Sequence, residues 1–267
     1  MERLRGARAT WYAVNAASAW LGLAVSVAIN LSGAYRKPIL DSSRYGYNKG
    51  AVAPLAEGFF DWVSFFTIWS SVVVGIALAA LWLRTRQSPP AAASSPTTEA
   101  DWPAPLPRWL ADLWLSGLVM VTVTGLVFNL VLSSQATQEG WDNLANSLLH
   151  QVTPVLSVVV FGVIGPRGQL RWSTVGRAII IPLAWVLWML GRGAMTGTYP
   201  YGFIDIVDLG TATAMVNLAG VLALGLAVAA GFVGLDKLLS RTNYRTNSRA
   251  DSQIDSRTDS RPDSPTR

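Results

Sequence analysis

Apolar residues along this chain fall into six long runs that are separated by polar segments. The runs cover about residues 11–32, 59–83, 109–132, 144–164, 178–194 and 209–234. Most reach the roughly 20 residues that an α-helix needs to cross the hydrocarbon core of a bilayer. The stretches 71–83 and 221–233 are apolar on every side, whereas strands of a membrane β-barrel alternate apolar and polar residues. The pattern predicts an all-α, polytopic membrane protein with a bundle of six transmembrane helices.

Three of the runs carry further expectations. The first run is longer than the apolar part of a signal peptide and lacks a clear cleavage site, so we expect it to remain as the first helix. The fifth run is short, so we expect this helix to be tilted or partly interfacial. Pro154 and Pro182 lie within the fourth and fifth runs and predict local kinks.

The composition agrees with this class and excludes several kinds of site. Hydrophobic residues make up 51% of the chain and charged residues 14%. There is no cysteine and a single histidine, which leaves no thiolate nucleophile, no disulfide and no metal site rich in Cys or His within one chain. A glycine-rich phosphate loop is also absent from the sequence. We therefore predict a protein without metal or cofactor.

Lysine and arginine residues predict the orientation of the bundle. The net charge of +5 could suggest nucleic acid as a partner, but 16 of the 21 basic residues lie on the side of the two termini, seven of them after the last apolar run. The opposite side holds Arg36, Lys37, Arg44, Lys49 and Arg192. Because cytoplasmic loops carry the excess of positive charge, both termini are predicted to be cytoplasmic. We expect membrane lipids as partners and no nucleic acid.

Two polar segments are expected to be disordered. Residues 87–107 are rich in Pro, Ala, Ser and Thr and join the second and third helices. Residues 241–267 mix arginines with a repeated Asp-Ser pair. We therefore divide the chain into a six-helix transmembrane domain, residues 1–240, and a disordered cytoplasmic tail, residues 241–267.

The single histidine, His150, lies within the fourth apolar run. An ionisable side chain at membrane depth is costly and usually faces a cavity or a partner. At about 1.5 Å per residue, His150 lies about 9 Å and Thr67 about 12 Å below the outer ends of their helices, so the two can meet in one layer. The alternatives are a packing role for His150 and a hydrogen bond from Thr67 to the Val63 carbonyl of its own helix.

A threonine hydroxyl beside a neutral imidazole suggests acyl transfer. The imidazole takes the hydroxyl proton, the oxygen attacks an ester carbonyl, and water later releases the acyl group. A lipid ester is the natural substrate at this depth. Such a site also needs an orienting acid and oxyanion donors. Polar residues in the same outer half are candidates for these roles, although caps or a structural ion pair are favoured for several of them: Asp61, Asn129, Arg192 and Asp205.

Short motifs on successive helices resemble a known family. They are residues 65–70 (FFTIWS), 124–129 (TGLVFN), 149–154 (LHQVTP) and 199–205 (YPYGFID). In this order they resemble the FAR-17a/AIG1-like membrane proteins and, more closely, the bacterial branch labelled Pr6Pr family membrane protein. The resemblance runs from the first helix to the sixth and excludes the linker and the tail.

The resemblance implies an activity and a location. Animal members of the wider family are threonine hydrolases that cleave fatty acid esters of hydroxy fatty acids with one intramembrane Thr and one His. By position in the motifs, Thr67 corresponds to the nucleophile and His150 to its partner, and the bacterial branch implies the inner membrane. The chain departs from the pattern at Trp69, Ser71 and Val160, where relatives often have Gln, Asn and an acidic residue.

Two other classes of function are open from the sequence. A transporter or channel would use the polar outer layer as a vestibule, although no carboxylate near the midplane supports ion coupling. A structural protein would pack against partners or a second copy. Helix six carries small residues at every fourth position, which we expect mainly to pack within the bundle, with self-association as the alternative: Ala219, Ala223, Ala227 and Gly231. Tryptophans near helix ends are expected to anchor the protein at the membrane interface.

Overall fold

The fold was analysed in a computed structural model, which describes residues 2–32, 55–87, 105–133 and 140–259. All regular secondary structure in these ranges is helical. Six helical segments, numbered spans 1 to 6, are long and apolar enough to cross a membrane. They are Leu4–Ser32, Phe66–Gln87, Arg108–Leu132, Trp141–Ile164, Trp172–Thr196 and Thr211–Arg241. The prediction of an all-α fold is confirmed for this part of the chain, and the six long apolar helices fit the prediction of a multi-pass membrane protein.

Within the described ranges, ten α-helices and three shorter turns build the spans and their connections. The α-helices are α1 (Glu2–Ser32), α2 (Leu55–Ser64), α3 (Phe66–Gln87), α4 (Arg108–Val127), α5 (Trp141–Ser147), α6 (Thr153–Ile164), α7 (Trp172–Ala178), α8 (Ile180–Thr196), α9 (Ile206–Leu209) and α10 (Thr211–Asp259). Two π-helical turns, Phe128–Leu132 and Leu148–Val152, continue α4 and precede α6. A 3₁₀ turn covers Gly202–Ile204.

The expected linker and tail fall only partly within the described ranges. Residues 88–104 of the linker and residues 260–267 of the tail lie outside them. Helix α10 continues to Asp259, past the boundary expected near residue 241. The division into a transmembrane domain and a disordered tail therefore stays a prediction.

The apolar run 59–83 does not form the single helix that the sequence predicts. The chain forms α2 and α3, which end and begin on either side of Phe65. The sequence there contains no Gly or Pro. Side chains of span 2 itself, of span 5 and of the segment before span 6 replace the helix hydrogen bonds that are lost at this break.

Span 5 is longer than predicted and is interrupted near its proline. It covers Trp172–Thr196, with a turn at Ile179 between α7 and α8. Pro182 has no N–H to donate to the Ala178 carbonyl one helical turn earlier, which accounts for the interruption. The interruption lies where the kink is expected, one turn before Pro182.

All six spans contribute to the main apolar core, span 5 through Ala178 of α7. Its largest fully buried side chains come from α1, α3, α4 and α6: Tyr12, Leu78, Leu81, Leu110, Trp114, Leu118 and Phe161. Phe161 also makes an edge-to-face contact with Phe232 of α10, with 5.0 Å between ring centroids. This core joins the helices on the side of the bundle that holds Tyr12 of α1 and Leu81 of α3.

A buried polar network joins span 4 to span 1. The Asn15 amide donates to the Ser157 hydroxyl over 3.0 Å, and the Ser18 and Thr153 hydroxyls share a hydrogen bond of 2.8 Å. Ser157 in turn donates to the Thr153 carbonyl. Such interhelical hydrogen bonds stabilise membrane bundles and fix which helix faces meet. The network thereby sets the position of the span that carries His150.

The small residues of helix six face away from the bundle. Ala219, Ala223, Ala227 and Gly231 are all exposed on α10. The expectation that this stripe packs mainly within the bundle is wrong, because the buried side chains of α10, such as Leu218 and Phe232, lie on another face. Self-association through the stripe stays a prediction.

Replacement of Asn15 by leucine is expected to destabilise the bundle. The change removes one interhelical hydrogen bond and should lower the free energy of unfolding in detergent by about 1 kcal/mol. Thr10→Val is the control, because the exposed Thr10 hydroxyl bonds only to the Gly6 carbonyl of the same helix. An equal effect of the two substitutions would contradict the stabilising role of the network.

Candidate active site

The break at Phe65 leaves carbonyl groups at the end of α2 that the helix no longer uses. Two indole N–H groups donate to them: Trp69 to the Val63 carbonyl over 2.8 Å, and Trp185 of span 5 to the Ser64 carbonyl over 2.9 Å. In a membrane interior an unpaired carbonyl costs several kcal/mol. The two indole bonds remove this cost at Val63 and Ser64 and so stabilise the break. Trp69 thus has a structural role, because its indole pairs a carbonyl released at the break.

The same break exposes the first N–H groups of α3, which carries Thr67. The Phe66 N–H donates to the phenol oxygen of Tyr201 over 2.9 Å, and the Ile68 N–H donates to the Phe65 carbonyl over 3.1 Å. The Tyr201 phenol also interacts with the backbone and side chain of Thr67. Thr67 is therefore held in the first turn of a helix, against a phenol from the segment between spans 5 and 6.

Thr67 and His150 meet in the interior of the bundle. The Thr67 Oγ1 lies 3.0 Å from the His150 Nε2. Both residues are buried, with 3% and 4% of their surface exposed. The bond to His150 replaces the alternative bond from Thr67 to the Val63 carbonyl, which the Trp69 indole occupies. The structure thus brings together the two residues that the depth argument places in one layer.

The hydrogen bonds of His150 define which ring nitrogen carries the proton. Nδ1 lies 3.1 Å from the carbonyl oxygen of Asn146. A carbonyl oxygen can only accept, so Nδ1 is the donor and, in a neutral ring, Nε2 is the acceptor for the Thr67 hydroxyl. The ring also stacks on Phe128, with 4.2 Å between the centroids. The imidazole is therefore oriented to take a proton from Thr67.

Pro154 and Asn129 fix the backbone beside His150. Pro154 has no N–H for the His150 carbonyl one helical turn earlier. The Asn129 amide supplies this donor over 3.2 Å and donates also to the Gly125 carbonyl over 2.8 Å. Gly125 allows the close approach, because a Cβ there would lie 3.0 Å from Pro154 Cβ. Span 3 thereby holds the turn that presents the imidazole.

An apolar cavity opens beside the pair, between spans 2 to 6. The empty volume between its walls is about 730 Å³, which includes space that is open to the outside of the protein. Hydroxyl and imidazole groups on its wall belong to Thr67, Thr124, His150 and Tyr201, and the other described lining residues are apolar or aromatic. A hydrophobic molecule in this cavity would lie directly against the Thr67 hydroxyl.

The four supporting residues expected from the sequence lie elsewhere. Asp61 forms an ion pair with Arg192, and Asp205 caps α9 by accepting from the Val207 N–H over 2.8 Å. Asn129 contacts the His150 carbonyl rather than the ring. None of the four is among the described residues that line the cavity. Their partners indicate an ion pair, a cap and a backbone clamp.

Two groups at the site were not anticipated. The acceptor that orients His150 is the main-chain carbonyl of Asn146, which residue type alone does not reveal. Tyr201 lies in the motif of residues 199–205, but its sequence position gives no sign that it reaches α3. Burial raises the pKa of Tyr201 to about 12, against the opposing effect of the Thr67 and Phe66 contacts. The phenol therefore keeps its proton at neutral pH and can act as a donor.

Two further positions singled out in the sequence, Ser71 and Val160, lie inside the bundle. Ser71 is completely buried, and Val160 belongs to the main apolar core. Neither is among the described residues that line the cavity. Comparison of the chain with protein-family models, curated proteins and solved structures finds no match.

The clamp on His150 predicts an interaction between Asn129 and Pro154. Asn129→Ala leaves the His150 carbonyl without this donor and should cost about 1–2 kcal/mol of unfolding free energy in detergent. In a Pro154→Ala background the restored N–H can serve the carbonyl, so the same change should cost about 1 kcal/mol less. A double-mutant cycle measures the difference. Strictly additive effects would contradict the shared role.

Proposed function

We propose that the protein is a membrane hydrolase that cleaves fatty acid or lipid esters through an acyl-threonine intermediate. The observation that carries the proposal is the 3.0 Å contact between Thr67 Oγ1 and His150 Nε2 on the wall of an apolar cavity. A nucleophile within hydrogen-bond reach of a base, with the base oriented by a third group, is the arrangement that covalent catalysis requires. Here the third group is the Asn146 carbonyl.

The reaction follows from these contacts in two halves. Thr67 Oγ1 bonds to the ester carbonyl carbon as its proton passes to His150 Nε2. The C–O bond to the alcohol then breaks, and the alcohol leaves with that proton. In the second half, water gives a proton to Nε2 and attacks the acyl-threonine, and the fatty acid leaves as the proton returns to Oγ1.

The oxyanion of each tetrahedral intermediate needs a donor close to Thr67. Tyr201 supports this role, because its buried phenol retains its proton, contacts the Thr67 side chain and lines the cavity. The N-terminus of α3 adds favourable partial positive charge at the first turn, where Thr67 lies. We assign Tyr201 to the oxyanion and Thr67 to the nucleophile.

The surroundings of the site support a substrate that arrives from the membrane. The cavity wall is apolar apart from the site groups, and it lies among helices of membrane-spanning length. The distribution of basic residues supports cytoplasmic termini and a site in the outer half, and the motif resemblance supports the bacterial inner membrane. The steps use only groups of this chain and water.

Loss of Thr67 is expected to abolish covalent labelling, and loss of His150 to slow it strongly. In purified protein, Thr67→Ala should not react with a fluorophosphonate, and His150→Gln should react about 10²–10⁴ times more slowly than the unchanged protein. Thr67→Ser keeps a hydroxyl and should label. Thr85→Val is the control, because Thr85 is equally buried in α3 but bonds only to the Leu81 carbonyl. Undiminished labelling of Thr67→Ala would overturn the proposal.

Removal of the Tyr201 hydroxyl is expected to slow turnover more than binding. Tyr201→Phe takes away the oxyanion donor and should lower kcat for a p-nitrophenyl ester by about 10²–10³ with little change in KM. Because the change also removes the acceptor of the Phe66 N–H, unfolding is measured in parallel. A rise in KM at unchanged kcat would instead assign Tyr201 to substrate binding.

A further inference from the structure

The cavity continues beyond the reacting pair, away from Tyr201. Thr124 marks the level of Thr67, because its hydroxyl donates to Ser70 over 3.1 Å and Ser70 donates to the Thr67 carbonyl over 2.9 Å. Val119 lies further along α4 by a distance of roughly 8 Å at 1.5 Å per residue. It lines the cavity together with Gly225. The cavity therefore has a deep end, about one and a half helical turns past the nucleophile.

Three residues from three spans line this deep end. They are Val119 of α4, Ile179 between α7 and α8, and Gly225 of α10. A Cβ at Gly225 would lie 3.8 Å from both Ile179 Cδ1 and Val119 Cγ1, which is an ordinary contact. Alanine therefore fits at Gly225, and any longer side chain extends into the deep end.

We propose that this deep end binds the acyl chain of the substrate and that Gly225 sets the chain length that is accepted. The inference rests on the proposed hydrolase function, since it starts from an ester carbonyl at Thr67. From there one branch of the substrate points to the deep end and the other points away from it. The deep end offers only apolar side chains, where a polar alcohol or headgroup would lose its hydrogen bonds. The acyl branch therefore occupies it.

Gly225 is the wall position where a small change alters the available length most directly. The side chains of Val119 and Ile179 already fill their part of the wall, whereas the missing side chain of Gly225 leaves space between them. Leucine at this position occupies volume that the end of a long acyl chain would otherwise fill. A short chain stops before this level and is unaffected.

The experiment compares two fluorophosphonates, one with an ethyl and one with a dodecyl chain. Gly225→Leu should slow labelling by the dodecyl probe about tenfold or more, the loss expected when two methylene groups are no longer buried. Labelling by the ethyl probe should stay within about twofold, and Gly225→Ala should lie between the unchanged protein and Gly225→Leu. Gly220→Leu is the matched control, because a Cβ at Gly220 meets nothing within 4 Å.

The outcomes separate this inference from the hydrolase proposal. Equal slowing of both probes by Gly225→Leu, or no slowing of the dodecyl probe, overturns the inference while the hydrolase proposal stands. If the unchanged protein reacts with neither probe, the hydrolase proposal fails. In that case, binding of an acyl chain in the deep end is tested by photocrosslinking a twelve-carbon diazirine fatty acid to Thr67→Ala protein. Crosslinks to Val119 or Ile179 that Gly225→Leu removes support the site, and crosslinks elsewhere overturn it.

Discussion

The structure around the site depends on one constraint: backbone groups released at helix breaks inside a membrane must find new hydrogen-bond partners. At Phe65 the released groups are taken up by Trp69, by Trp185 of span 5 and by Tyr201. Each partner comes from a different part of the chain. The break therefore ties span 2 to span 5 and to the segment before span 6, and these ties place Thr67 at the start of α3 on the cavity wall.

The same constraint positions His150. Pro154 withholds an N–H from the His150 carbonyl, and Asn129 of span 3 replaces it. The neighbouring π-helical turn presents the ring to the Asn146 carbonyl and to Thr67. A hydrolytic triad usually orients its histidine with a carboxylate. Here the main-chain carbonyl of Asn146 orients the ring, so no charged carboxylate is needed in the interior of the bundle.

The sequence predicts the fold class well and the site in part. Six apolar runs suffice for the spans, because the length needed to cross a bilayer is a strong constraint. The depth argument brings Thr67 and His150 to one layer, and the contact agrees with it. The sequence around Phe65 contains no Gly or Pro that would mark a break. The break is stabilised by Trp185 and Tyr201, which are distant in sequence, so local sequence does not predict it. The sequence also does not reveal the partners of Asp61, Arg192 and Asp205, which form an ion pair and a helix cap away from the cavity wall.

The most direct test of the account is to locate the covalent adduct by mass spectrometry after the purified protein reacts with a fluorophosphonate. The account predicts one adduct per chain, attached to Thr67, and no adduct on the neighbouring hydroxyls of Ser70 and Tyr201. An adduct on either of these residues would contradict the assignment of the nucleophile. A folded protein that forms no adduct at all would contradict the hydrolase proposal itself.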